Sequence, residues 1–352
     1  MSVFWIVMST IGVISSLVLV FLGALYIFEW LKQRKADRLE NERYAKELEA
    51  SLQEEVKQQY DETILNDALQ RLNALEGLSM LKAEVDEWVK LIRYDLEEEQ
   101  LDHQKAALHM VFLGNPGTGK TTVARIIADI YKGLGILEKG HLVEADRSAL
   151  VAQYIGHTAV QTKAKIESAF GGILFIDEAY NLVGRGHQDF GIEAIDTLLK
   201  MMEDHRGKFI VIVAGYEQEM MEFLASNPGL KSRFDKVFQF QDHGTEELIK
   251  VCKEQFEREQ KILSHEAEAI LTAYVSHLSD HRSKGFGNAR EIRKINAEVL
   301  KNQKLRLFEI PKEQRTSEHK SSITLEDVLE FKEVEVKYRK QIGYKFAKEE
   351  MA

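Results

Sequence analysis

Two short stretches of this chain carry residue types that together handle phosphate groups. The first, Gly114-Asn115-Pro116-Gly117-Thr118-Gly119-Lys120-Thr121-Thr122, fits the pattern G-x-x-x-x-G-K-[ST]. Its glycines let backbone N–H groups curl around phosphate oxygens, Lys120 faces the β- and γ-phosphates, and the Thr121 hydroxyl suits magnesium. The second is the apolar run Ile173-Leu174-Phe175-Ile176 ending in Asp177-Glu178. In that pairing Asp177 holds magnesium through its water shell, and Glu178 orients and polarises an attacking water. Without the loop upstream, Asp-Glu after a strand reads as a helix cap.

The elements that must position these groups are legible around them. His109-Met-Val-Phe-Leu113 reads as a buried strand feeding the loop, and Val123, Ile126, Ile127 and Ile130 give the following helix an apolar face that ends at Gly133 and Gly135. Strand candidates at 109–113, 141–145, 173–176 and 209–214, separated by helical patterns, predict an α/β fold: a parallel sheet with helices on both faces. A fifth strand is expected near 237–240, and residues 244–305 read as helices, with Ala267, Ile270, Leu271 and Tyr274 on one apolar face.

Two rival signatures fail. Asp189-Phe190-Gly191 resembles a kinase magnesium motif, but no G-x-G-x-x-G loop or H-R-D sequence accompanies it. His265-Glu266 begins like a zinc-protease helix, yet Ala269 stands where the second histidine ligand belongs.

Composition narrows the classes further. The 352 residues are 44% hydrophobic and 30% charged, enough for two or three packed domains. A net charge of -10 argues against broad contact with nucleic-acid phosphate, so no nucleic-acid partner is expected. The single cysteine, Cys252, excludes an internal disulfide and reads as a small buried apolar residue in a reducing compartment.

No charge occurs from Ser2 to Phe28, a stretch that as a helix would reach roughly 40 Å against a ~30 Å hydrocarbon layer. Lys32, Arg34, Lys35 and Arg38 follow it directly. The positive-inside rule then predicts a single-pass membrane protein, anchored through residues 3–28, with its N-terminus outside and the rest cytoplasmic. Residues 36–75 lack Gly and Pro and favour helix; Leu48, Leu52, Val56 and Tyr60 recur every four residues, leaving a coiled coil and a solvated charged helix both open.

The motifs as a set resemble the CbxX/CfqX group of AAA+ ATPases, which includes red-type rubisco activases and stage V sporulation protein K. The resemblance is carried by Gly114–Thr122, Tyr154-Ile155-Gly156-His157-Thr158-Ala159, Gly171–Tyr180, Ala214-Gly215-Tyr216, Asn227–Phe234 and Gly287-Asn288-Ala289-Arg290. It implies ATP with Mg2+, bound between the α/β domain and a helical lid and completed by the next subunit of a ring, expected to be a hexamer. Arg233 matches the arginine finger that enters the neighbour's site, and Arg290 the lid arginine directed at the γ-phosphate. Alone, Arg233 reads as an arginine in a loop after an N-P-G turn, and Arg290 as a surface helix arginine. Tyr154-Ile155-Gly156 matches a pore loop that grips polypeptide through an exposed aromatic. Gly215-Tyr216 departs from the broader pattern, which places Asn or Thr after the fourth strand. The polar partner of Glu178 is thereby left open, with Tyr216 donating through its hydroxyl or merely packing.

These readings divide the chain into an anchor (1–31), a charged helical stalk (32–74), an AAA+ nucleotide-binding domain (75–242), a helical lid (243–310) and a charged C-terminal segment (311–352). The expected function is a membrane-anchored, Mg-dependent ATPase that remodels an unidentified protein client at the cytoplasmic face. The alternative is an ATP-dependent switch or scaffold that binds a secretion or sporulation partner without threading it. A DNA-directed role is disfavoured by the acidic balance, and rubisco activation by the anchor.

Overall fold

The strand His109–Gly114 (β1) is buried along its four central residues, as are all residues of Ile173–Ile176 (β3) and Ile210–Gly215 (β4). Strands covered on both faces need such unbroken apolar runs. In this computed structural model, which describes Arg34 and residues 61–98, 108–152, 154, 156–183, 190–283 and 285–332, they form the middle of a five-stranded parallel sheet. Leu142–Ala145 (β2) and Phe234–Phe240 (β5) are its edges, in the order β2-β3-β4-β1-β5. β5 starts earlier than the 237–240 expected. It alternates as an edge strand does, with Phe234, Phe238 and Phe240 buried and Val237 and Gln239 exposed.

Successive residues of the central strands face opposite layers. Val111, Leu113, Leu174, Ile176, Val211 and Val213 share one apolar cluster with Ala194, Ile195 and Leu198.

The helices, in chain order, begin with Glu62–Asn73 (α1), Ser79–Glu97 (α2) and Lys120–Gly133 (α3). Arg147–Leu150 (α4), Thr158–Glu167 (α5), Gly191–Asp204 (α6), Glu217–Ala225 (α7) and Pro228–Lys231 (α8) follow. None of the apolar residues of α3 joins the first cluster, and α3 packs on β2 and β3 from the other side of the sheet.

The sequence placed α1 in a stalk, but it docks on α3. Asp61 caps it by accepting from the N–H groups of Thr63 and Ile64, and its Leu65, Ala68 and Leu72 are buried. A Cβ on Gly133 would lie 2.7 Å from the nitrogen of Leu65, so glycine there lets the two helices touch. Residues 32–60 apart from Arg34, like the whole anchor, lie outside the described residues. Among those that are described, no helix is long and apolar enough to cross a membrane.

Beyond β5, Thr245–Arg258 (α9), His265–Asp280 (α10) and Ala289–Glu309 (α11) build a second cluster around Leu248, Phe256, Leu271, Ile292 and Val299. The chain after 310 returns to it. Ile323, Val328 and Phe331 belong to the same core, and Ser322–Ile323 (β7) pairs with Ile262–Leu263 (β6). Arg306 and Asp327 close this return with two hydrogen bonds of 2.8 and 3.0 Å, the carboxylate being fully buried. Part of the segment read as a charged tail is thus lid structure.

Candidate functional site

Four parts of the chain meet in one cleft. The end of β1, the loop after it and the first turn of α3 supply Gly114, Pro116, Gly117, Gly119, Lys120, Thr121 and Thr122, and Asp177 and Glu178 follow β3. Gly215 ends β4 and Tyr216 follows it, while α11 brings Arg290 and, one turn on, Arg293. Arg293 adds to the residues the sequence points to. Its signal is the spacing of three from Arg290, which puts both guanidinium groups on one helix face.

Two predicted binding residues of the loop do not line the cleft with their side chains. Asn115 donates to both carboxylate oxygens of Asp242, at 3.0 and 2.9 Å. Thr118 is buried, and its hydroxyl donates to the carbonyl of Asn115 at 2.8 Å. Both stabilise the loop's shape from behind. Lys120 donates to the carbonyls of Gly114 and Asn115, each at 2.8 Å. Burial pushes its ammonium down to about 8, with Arg290 adding to the effect and Asp177 and Glu178 opposing it. A desolvated cation held inside a ring of backbone groups fits an anionic ligand well.

The lid is joined to the loop directly. The Ala289 N–H donates to Gly117 O at 3.2 Å, and the Asn288 amide donates to Asp242 Oδ1 at 2.7 Å. A side chain at Gly117, where φ is 73°, would strike the Gly287 carbonyl at 2.1 Å, so the close approach requires glycine.

Asp177 accepts the N–H of Glu178 at 3.1 Å, and Glu178 has a left-handed backbone with φ 49°. The Glu178 carboxylate accepts from the Asn181 amide at 3.0 Å. Tyr216 packs instead against Tyr180, with ring centroids 6.1 Å apart. Of the two roles left open for Tyr216, packing is the one seen here.

Arg233 lies away from the cleft. Its guanidinium meets Glu203 at 3.1 Å and donates to Gly229 O at 3.2 Å. Tyr154 is 73% exposed on a turn whose Gly156 has φ 79° and no neighbour within 4 Å of where a Cβ would sit. Ile155, the middle of that predicted loop, lies outside the described residues.

The loop, the acidic pair and the lid arginines form a donor set suited to a magnesium nucleotide: backbone N–H groups, one ammonium and two guanidinium groups for phosphates, with a hydroxyl and a carboxylate for the cation. Comparison with known proteins agrees. Residues 110–242 match the ATPase family associated with various cellular activities (AAA), and residues 244–337 match the AAA lid domain.

The chain is 42% identical over 266 residues to stage V sporulation protein K of Bacillus subtilis (strain 168), covering 74% of this chain and 81% of that one. It is 40% identical over 282 residues to the chloroplastic ribulose bisphosphate carboxylase/oxygenase activase of Cyanidioschyzon merolae (79% and 94% covered). With protein CbbX of Cereibacter sphaeroides it shares 39% over 258 residues (72% and 83% covered). Among solved structures, the FIGL-1 AAA domain in complex with ADP shares the fold at TM-score 0.50 and 17% identity, over 74% of this chain and 82% of that one. The chain therefore belongs to the AAA ATPases with an AAA lid domain, in the group of stage V sporulation protein K and the CfxQ and CbbX proteins.

Proposed function

We propose that this chain hydrolyses ATP with the help of Mg2+ and uses the cycle to remodel a protein client at the cytoplasmic face of a membrane. The observation that carries the reading is the convergence of Lys120, Asp177, Glu178 and Arg290 on one cleft between sheet and lid.

In this reading the loop backbone and Lys120 bind the phosphates, and Thr121 and Asp177 hold the magnesium. The cation supplies charge neutralisation on the phosphate oxygens. Glu178 orients the attacking water and draws on its proton. Arg290 contacts the terminal phosphate from the lid, so lid position follows the nucleotide. Arg233 completes the site of the next subunit in a ring, taken here as six-membered, because its side chain points elsewhere in its own subunit. Tyr154 touches the client, for which its exposure fits it. The anchor reading rests on the charge-free run 2–28 and the basic residues after it.

The test is client remodelling and ATPase turnover in detergent for two variants. Glu178→Gln should bind ATP without turnover and retain its client in a pull-down. Tyr154→Ala should hydrolyse ATP but lose remodelling; undiminished remodelling would instead favour the switch that binds without threading.

A further inference from the structure

Glu178 lines the cleft beside Asp177. Its side chain is exposed, and its φ of 49° and ψ of 45° place it at the left-handed entry to a short 3-10 turn, Ala179–Leu182. Position 181 is the third residue of that turn, one 3-10 hydrogen bond on from its N-cap at 178. The residue at 181 is asparagine, and its Nδ2 donates to Glu178 Oε2 at 3.0 Å.

The turn that holds Asn181 is itself fixed. Its N–H donates to Glu178 O at 2.9 Å, and its carbonyl accepts from Arg147 Nη1 at 2.6 Å. Arg147 begins α4, directly after the Asp146 that follows β2, so the brace comes from the neighbouring strand and not from the turn. One oxygen of the carboxylate is thus tied down by a neutral donor.

We propose that Asn181 is a positioning residue for Glu178, filling from three residues downstream the place that a polar residue after the fourth strand would otherwise hold. The inference rests on the reading of Glu178 as the group that activates water. Asn181 does not itself line the cleft. It acts by holding the carboxylate in one direction through its amide N–H.

Steady-state ATP turnover of the full chain separates this from a structural role. A well-placed general base contributes typically 10²–10⁴-fold, and Asn181→Ala should forfeit roughly tenfold in kcat while the KM for ATP stays within about twofold. Asn181→Asp keeps the shape but replaces the donor with a like charge, so it should lose at least as much. Wild-type kcat in Asn181→Ala, or in the isosteric Asn181→Asp, overturns the proposal. Glu178→Gln run alongside keeps the two readings apart. If it is inactive while Asn181→Ala turns over normally, only the positioning role fails; if it turns over at the wild-type rate, the water-activation reading fails and takes this one with it.

Discussion

Asn288 is wholly buried between the phosphate-binding loop and the lid, where its amide donates to Asp242 at 2.7 Å while its oxygen accepts the N–H of His243 at 3.0 Å. The same Asp242 takes the two bonds from Asn115 in the loop. One carboxylate thus ties loop to lid. Asn288 also adopts φ 45°, a conformation that costs a side-chain-bearing residue about 1–3 kcal/mol. Asn288→Ala should lose the hydrogen bonds and keep the strain, destabilising the fold by about 3 kcal/mol in urea unfolding and weakening nucleotide binding. Asn288→Gly loses the same bonds but relieves the strain, so it should be the milder of the two; the reverse order would refute the account.

Lys120 gives the site a pH dependence whose sign follows from its environment. Burial lowers its ammonium from 10.5 to about 8. Phosphates placed beside it favour the charged form, so near pH 9 nucleotide binding must take up a proton that below about pH 7 is already present. Around pH 7 Lys120 should therefore add no pH dependence to the affinity for ADP. Above about 8 that affinity should fall, towards a limit of roughly tenfold per pH unit. Calorimetry in buffers of different ionisation heats reads the proton directly. Lys120→Arg, which stays charged throughout, should show no uptake, and no uptake by the wild-type chain at about pH 9 would contradict the assignment.

What the sequence disclosed about this site was whatever is encoded locally. The run from His109 through Thr122 and the run from Ile173 through Glu178 each carry strand, turn and chemistry in consecutive residues, and both end in the cleft. Asn181 was overlooked because its role depends on the 3-10 geometry after Glu178, which no hydrophobic period announces. The polar partner of Glu178 was sought after the fourth strand, and the structure puts it three residues away. Leu65, Ala68 and Leu72 do form a stripe at helical spacing, but the charged composition around them masked it, and the notch at Gly133 that receives it is made only when the two helices meet. Asn115 and Thr118 match the loop motif by position, while their side chains brace the loop from outside the cleft.

Asp327 offers a test of where the lid ends. It is fully buried, accepts two bonds from Arg306 of α11 and also takes the Thr324 N–H at 2.8 Å. Removing one partner of a buried ion pair typically costs about 3–5 kcal/mol, because the other charge stays behind unpaired. Asp327→Ala should lower the chemical-denaturation midpoint accordingly, and Asp327→Asn, which keeps some of the bonds, should lower it less. A chain ending at 310 would also lose Ile323, Val328 and Phe331 from the core and should be the least stable of the three. Stability equal to wild type in the truncated chain would show that the return after 310 is dispensable.

Cys252 reports on the same packing without mutation of the core. It is buried between α9 and α11, its thiol pointing at Asn296 Oδ1 at 3.1 Å, and burial pushes it up to about 12 while the Asn296 contact pulls slightly the other way. Thiolate is the reactive form, so alkylation near pH 8 should be negligible in the folded chain and should appear only as the lid opens. Nucleotide, by bridging Arg290 to the loop, should slow labelling further under mild denaturant. Labelling at the rate of a free thiol in native buffer would mean that α9 and α11 are not packed as described.

Arg233 supplies the sharpest test of assembly. Within one chain it bonds Glu203 and Gly229 O and does not line the cleft, so any part it takes in catalysis must come through a neighbour. Arg233→Ala should bind ATP normally and turn it over ~1000-fold more slowly, the scale of a lost arginine finger. Glu178→Gln should be inactive for a different reason, since it lacks the base but keeps the finger. Mixed in equal amounts, the two inactive proteins form some junctions in which an intact Glu178 on one subunit faces an intact Arg233 on the next. Turnover should therefore reappear on mixing and follow the fraction of mixed rings. If the mixture stays as inactive as its components, although labelled subunits demonstrably co-assemble, Arg233 does not act across a subunit boundary.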